Sequence, residues 1–384
     1  MSDERPQYEK GDFYRVAVSS MPNLASLLPD GMDKPWQARL LGKLKMAWNF
    51  VRKQAIYKSE DVFKGMFGEE LRIGDIATPV AVTVFIPDTE QTVTFMNRET
   101  DFVNYDLMPH DLFLVRPDLH AWLATSYSSC IPFVFSIEKE SMVSPPPSEA
   151  CSEDTGFPAC NVSSVYGFAP VDGAVSAYYG AMGASSNQNK IIVTVFESRK
   201  AQPLDYASGS RFASWWLIGS AYSLFKAATY MLNNEGEDKL ALSKQLGAVE
   251  LPCVASEARA ELKKKTGIEY PNGSEFSKYT NDKMHDIFNH QYDKIRKMIE
   301  EDPTYNLEKY AKEGMIICVS SGGAFAVDEL AGICALCDAV DERKSEERRG
   351  IINLITGTSA GSLNAIYVSQ IHDEVYNLNG DNKQ

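Results

Sequence analysis

The sequence predicts an α/β protein: a mostly parallel sheet with helices on both faces. Three observations lead there. In the C-terminal quarter, short apolar runs alternate with helical ones: a strand at Met315–Val319, a helix over Asp328–Val340, a strand at Ile351–Ile355 and a helix opening at Gly361. The blocks Pro79–Pro87 (PVAVTVFIP) and Ile191–Phe196 (IIVTVF) are dense in β-branched residues, which suits strands buried on both faces. Charged amphipathic patterns over Ser256–Lys265 and Asp282–Glu301 supply covering helices.

Taken in order, the spacing of Trp36, Leu40, Leu41, Leu44, Trp48 and Val51 predicts a helix from Lys34 to about Phe67. After Pro79–Pro87, Asp88-Thr89 begins a turn, Asp111–Arg116 reads as a strand, and Leu119–Thr125 reads as a helix running into Ser126–Ile137. Ser141–Pro158, with three consecutive prolines at 145–147, must be a loop. Arg211–Leu232 is helical in period and rich in aromatics, which suits either a core helix or an interfacial element for lipid. No internal repeat or long linker divides the chain. We read residues 1–384 as a single domain, with a base-bearing part at 1–200, a helical connecting region at 201–313, and the Gly-rich loop and Ser turn at 314–384.

The composition narrows the function. Of 384 residues, 44% are hydrophobic and 23% charged, as in globular proteins, and a net charge of −14 argues against nucleic acid and against an electrostatic grip on anionic membranes. Seven cysteines, with Cys130, Cys318, Cys334 and Cys337 in apolar runs, suit a reducing compartment. Cys334-x-x-Cys337 has no second Cys pair or His nearby, so buried thiols are expected rather than a metal site. The polar start, MSDERPQYEK, lacks a signal-peptide core, and no run reaches the length of a membrane span. The expectation is a cytoplasmic protein, peripheral at membranes if it meets them, with neither metal nor organic cofactor and no oligomeric state fixed by sequence.

Gly357-x-Ser359-x-Gly361 lies between an apolar strand and a helix. In that context the pattern is a nucleophile elbow, small residues letting the turn tighten while the helix N-terminus favours a developing anion. The competing reading is a turn in which Ser359 merely caps the helix. Ser321-Gly322-Gly323 follows the strand Met315–Val319 and leads into a helix, a place where backbone N–H groups converge as an oxyanion hole. It lacks the Lys of a phosphate loop and the third Gly of a dinucleotide fingerprint. Only 25 residues follow Ser359, too few for the acid and His of an ordinary α/β-hydrolase.

Gly322-Gly323-Ala324 entering a helix, then a strand and Gly357-Thr358-Ser359-Ala360-Gly361, resembles the opening of a patatin-like phospholipase domain. The family's third signature is Asp-Gly-Gly or Asp-Gly-Ala, and Asp172-Gly173-Ala174 is similar to it. Ala124–Phe135 (ATSYSSCIPFVF) resembles the small-residue helix and Ile-Pro turn before that Asp, and Ile191–Phe196 the strand after it. The resemblance implies a patatin-like α/β/α fold with Ser359 as nucleophile, Asp172 as base, and Gly322, Gly323 and Ala324 as oxyanion loop. It implies ester hydrolysis of the phospholipase A or lysophospholipase type, on phospholipid or other lipid esters.

Two features depart from the family. Asp172 precedes Ser359 by 187 residues, whereas the family runs loop, Ser, Asp, so the order is circularly permuted. Domain termini often lie close together at the surface, which makes such a cut physically tolerable. Phe325 stands where the family's loop carries Arg or Lys, Ser321 where it carries a third Gly, and Ala326 in place of the last Gly. These changes leave two alternatives beside the enzyme: a catalytically impaired scaffold or lipid-binding protein, and sites assembled between chains.

Overall fold

The structure, a computed structural model, describes residues 10–21, 57–58, 60–86, 91–102, 111–129, 135–136, 171–172, 191–195, 248–271, 278–320, 326–345 and 349–378. Its elements are α1 (Asp12–Ser20), β1 (Tyr57–Lys58), α2 (Glu60–Phe67), β2 (Val80–Ile86), β3 (Gln91–Met96), β4 (Asp111–Val115), α3 (Ala121–Ser128), β5 (Phe135–Ser136), β6 (Val171–Asp172), β7 (Ile191–Val195), β8 (Val249–Pro252), α4 (Ala255–Thr266), α5 (Asn281–Glu301), α6 (Leu307–Glu313), β9 (Met315–Val319), α7 (Ala326–Asp341), β10 (Ile352–Thr358) and α8 (Ala360–Val375).

The protein is α/β, with a mostly parallel mixed sheet and helices packed on it. Seven strands run in the order β4-β3-β2-β10-β9-β7-β8, with β6 added beside β2. The β2–β3 and β2–β6 pairings are antiparallel, and the remaining pairings of this sheet are parallel. The last two strands among the described residues, β9 and β10, lie at the centre. Their sequences dictate this. Met315–Val319 is buried at every position, as are Leu354 and Ile355 in β10, and each such aliphatic side chain contributes roughly 1.5–3 kcal/mol by leaving water. Pro252, which cannot donate to a ladder, ends the edge strand β8.

Helix α7 is buried along nearly its whole length and fills the space between β9 and β10 in sequence, a parallel crossover. Helix α5 lays Met284, Ile287, Phe288, Gln291, Tyr292, Ile295 and Ile299 against the core, a stripe at helical spacing. Two carboxylates inside α7 are matched. Asp328 receives both ends of the Arg259 guanidinium at 2.9 Å and the Gln291 amide at 3.0 Å. Asp338 accepts the N–H groups of Phe13 and Tyr14 at 3.0 and 3.1 Å and the Tyr292 hydroxyl at 2.7 Å, capping α1 from a distant segment.

Several expectations need correction. The helix expected from Lys34 to Phe67 does not run unbroken: Tyr57–Lys58 is a strand paired with Phe135–Ser136, and the helix is Glu60–Phe67, residues 22–56 lying outside the described residues. The helix expected at Leu119–Thr125, running into Ser126–Ile137, is observed as Ala121–Ser128, and Phe135–Ser136 is a strand paired with β1. Helix α1 and strands β3 and β8 were not anticipated from the sequence. Arg211–Leu232, Ser141–Pro158 and Cys130 lie outside the described residues. Cys253, Cys318, Cys334 and Cys337 are free and buried. No helix among the described residues is long and apolar enough to cross a membrane.

Candidate active site

At the carboxyl end of β10 the chain turns sharply into α8, and Ser359 is the residue at the turn. Its backbone stands at φ 55°, ψ −127°, a region that side-chain-bearing residues rarely occupy and that costs on the order of 1–3 kcal/mol. The two flanking glycines explain how such a turn fits. A Cβ on Gly357 would lie 2.2 Å from the Gly361 carbonyl oxygen, and one on Gly361 would lie 2.3 Å from the carbonyl oxygen of Ser320 and 2.5 Å from that of Val319. Gly361 therefore lets α8 press onto the end of β9, where the Gly-rich loop begins. This close approach, rather than chain flexibility, is what the G-x-S-x-G spacing provides.

The strained residue is held on both sides. Its N–H donates to the Ser128 hydroxyl at 2.8 Å, and that hydroxyl donates to the Thr83 carbonyl at 2.6 Å. Its own carbonyl accepts the Ser362 N–H at 2.9 Å and the Ser362 hydroxyl at 2.5 Å. Ser359 is only 4% exposed among the described residues.

The sheet register brings a second expected residue to this corner. In the β10–β2 ladder Thr358 pairs with Thr83, and in the β6–β2 ladder Asp172 pairs with Val84. Since β3 occupies the other edge of β2 from Ala81 to Ile86, β6 must continue the edge that β10 leaves. The Asp172 backbone is thus one register step beyond Thr358, where the chain of Ser359 turns away. Gly173, Ala174, Gly322, Gly323 and Ala324 lie outside the described residues.

The two ends of the Gly-rich segment are nevertheless fixed. Glu329, fully buried in the first turn of α7, accepts the Ser320 N–H and hydroxyl at 3.1 Å each and the Asn364 amide at 2.9 Å. The same Asn364 amide donates to the Ala326 carbonyl at 2.9 Å. One carboxylate thereby ties β9, α7 and α8 together. Sequence reasoning missed Glu329, Asn364 and Ser128; the available signal was a polar side chain inside an otherwise apolar or small-residue run.

Rival chemistry is weak here. His372 sits at the start of β10, about 20 Å from Ser359 along a seven-residue strand. Its Nε2 accepts the N–H groups of Ile351 and Ile352 at 3.0 and 3.2 Å, so Nδ1 carries the proton and donates to Thr78 Oγ1 at 2.7 Å. That imidazole is engaged in structure. Burial pushes the Cys318 thiol up to about 12, and those of Cys253, Cys334 and Cys337 upward as well, so none is a ready nucleophile. No cluster of metal-ligating side chains occurs among the described residues. An apolar recess of about 50 Å³, walled by Met21, Met284, Val327, Leu330, Leu363 and Tyr367, opens near the first turns of α7 and α8.

Compared with known proteins, the chain matches no family model, no curated sequence and no solved structure.

Proposed function

We propose that this chain is a serine acyl hydrolase for lipid esters, with Ser359 as nucleophile and Asp172 as base, in a patatin-like domain of circularly permuted order. The observation that carries the reading is the strained Ser359 between two glycines that admit no Cβ, with Asp172 paired one step beyond Thr358 on the same strand. A serine that merely capped its helix would use ordinary extended backbone and accept the N2 or N3 amide through its side chain, whereas Ser359 makes no such capping bond.

In this reading the Asp172 carboxylate takes the Oγ proton as Ser359 Oγ bonds to the ester carbonyl carbon. The carbonyl electron pair moves onto oxygen, where the amides of Gly322, Gly323 and Ala324 and the N-terminus of α8 stabilise it. Collapse expels the alcohol, which recovers the proton from Asp172. Water then attacks the acyl-enzyme with Asp172 again taking a proton, and as the fatty acid leaves that proton returns to Ser359 Oγ, which restores the dyad. An Asp near its ordinary pKa of about 4 is a feeble base at neutral pH, so partial desolvation of Asp172 belongs to the proposal.

The central position of β9 and β10 supports the permutation. A domain that began with those strands, cut after α8 and rejoined through α4–α6, would have this strand order. Thr358, the neighbour of Ser359, and Asp172 pair with one strand of one chain, which favours a site within a chain over one shared between chains. Fatty acid release from phosphatidylcholine vesicles and from a short-chain ester, compared between wild type and Ser359→Ala, tests the reading. Release by wild type alone supports a lipid esterase. Equal background from both favours the impaired scaffold, to which Phe325 and Ala326 point, as a lipid-binding or interaction module.

A further inference from the structure

We propose that Ser128 is a positioning residue that holds Ser359 in its attack conformation; this rests on the hydrolase reading above. The parallel ladder between β10 and β2 ends at Thr358 and Thr83. Beyond it the strained backbone of Ser359 turns away, and its N–H no longer reaches a strand partner directly. The Ser128 hydroxyl bridges that gap, accepting from Ser359 N at 2.8 Å and donating to the Thr83 carbonyl at 2.6 Å. One hydroxyl so satisfies a buried donor and a buried acceptor, and it ties the turn to the strand that also pairs Asp172.

Ser128 is fully buried at the last residue of α3, so water cannot stand in for it. With its N–H held by Ser128 and its carbonyl by Ser362, Ser359 cannot relax toward helical dihedrals without breaking one of these bonds. The arrangement also occupies the Ser359 N–H, leaving the oxyanion to amides of other residues. Ser128 therefore acts through Ser359 without touching substrate.

The test is the rate of covalent labelling of the full-length protein by a fluorophosphonate, resolved into kinact and KI, for wild type, Ser128→Ala, Ser128→Cys, Ser128→Thr and Ser126→Ala. Ser126 is the control, its buried hydroxyl having no partner among the described residues. Ser128→Ala is expected to lower kinact about tenfold or more with KI unchanged. Ser128→Cys, which fills the volume but accepts poorly, should fall between, and covers the case in which the alanine variant does not fold. Ser128→Thr should restore most of the rate, and Ser126→Ala should match wild type. Wild-type kinact in folded Ser128→Ala or Ser128→Cys overturns the proposal while leaving the hydrolase reading intact. Absence of labelling in wild type overturns both.

Discussion

Thr358 and Asp172 pair with consecutive residues of one strand, Thr83 and Val84, although 186 positions separate them in sequence. The β2 edge thus gathers the end of β10, next to the proposed nucleophile Ser359, and the proposed base Asp172. In the proposed enzyme, this shared edge is what brings two separated sequence patterns toward one site.

The strain at Ser359 makes a prediction about stability. Ser359→Gly removes the penalty for φ 55°, ψ −127°, whereas Ser359→Ala keeps it. Urea denaturation should find the glycine variant about 1 kcal/mol more stable than the alanine variant, with neither labelled by an acylating probe. Equal stabilities would mean that the turn carries no strain.

The flanking glycines should tolerate nothing larger. Gly357→Ala and Gly361→Ala each place a Cβ within about 2.3 Å of backbone oxygen, which cannot swing aside as a side chain can. Each is expected to lose about 3 kcal/mol or more and to abolish turnover. Chemical denaturation with a parallel esterase assay checks both effects, and a stable, active Gly361→Ala would contradict the packing of α8 on β9.

Glu329 should matter to both fold and rate. Glu329→Gln keeps the volume but offers one acceptor oxygen where two now receive bonds from Ser320 and Asn364. A loss of about 1–3 kcal/mol in stability and a slower acylation rate are expected. An unchanged rate would show that the ends of the Gly-rich segment need no such anchor.

Asp338 gives a pH signature. Burial pushes its carboxyl up to about 6 from the usual 3.8, against hydrogen bonds from Tyr292 and the amides of Tyr14 and Phe13 and the nearby Arg296 charge. The folded state holds this proton more tightly than the unfolded chain. Its contribution is therefore fully present below about pH 4 and is lost as pH rises through about 6. The stability of wild type relative to Asp338→Asn should fall between pH 4 and pH 7 by up to about 3 kcal/mol. A difference that is flat or rises with pH would contradict the burial of this carboxyl beneath α1.

Much of the centre was legible in the sequence because the local signals agree there. Met315–Val319 is an apolar run observed with those bounds, the strand expected at Ile351–Ile355 and the helix at Asp328–Val340 are observed as Ile352–Thr358 and Ala326–Asp341, and the glycines around Ser359 report a backbone requirement directly. Ser256–Lys265 and Asp282–Glu301 were equally plain, observed as Ala255–Thr266 and Asn281–Glu301. What escaped depends on partners far away. Helix α1 has no side-chain cap of its own and borrows Asp338, and β8 is four residues long with a Glu and a Pro. β3 opens Gln91-Thr92 without a strong apolar run. Ser128 and Glu329 declare themselves only when three dimensions bring them to Ser359 and Ser320.

The most direct test of the central claim is fluorophosphonate labelling of folded wild type, Ser359→Ala and Asp172→Asn, with the modified peptide identified by mass spectrometry. A single adduct on Ser359 is expected in wild type, with little or none in either variant. An adduct elsewhere, or none in wild type, would contradict it.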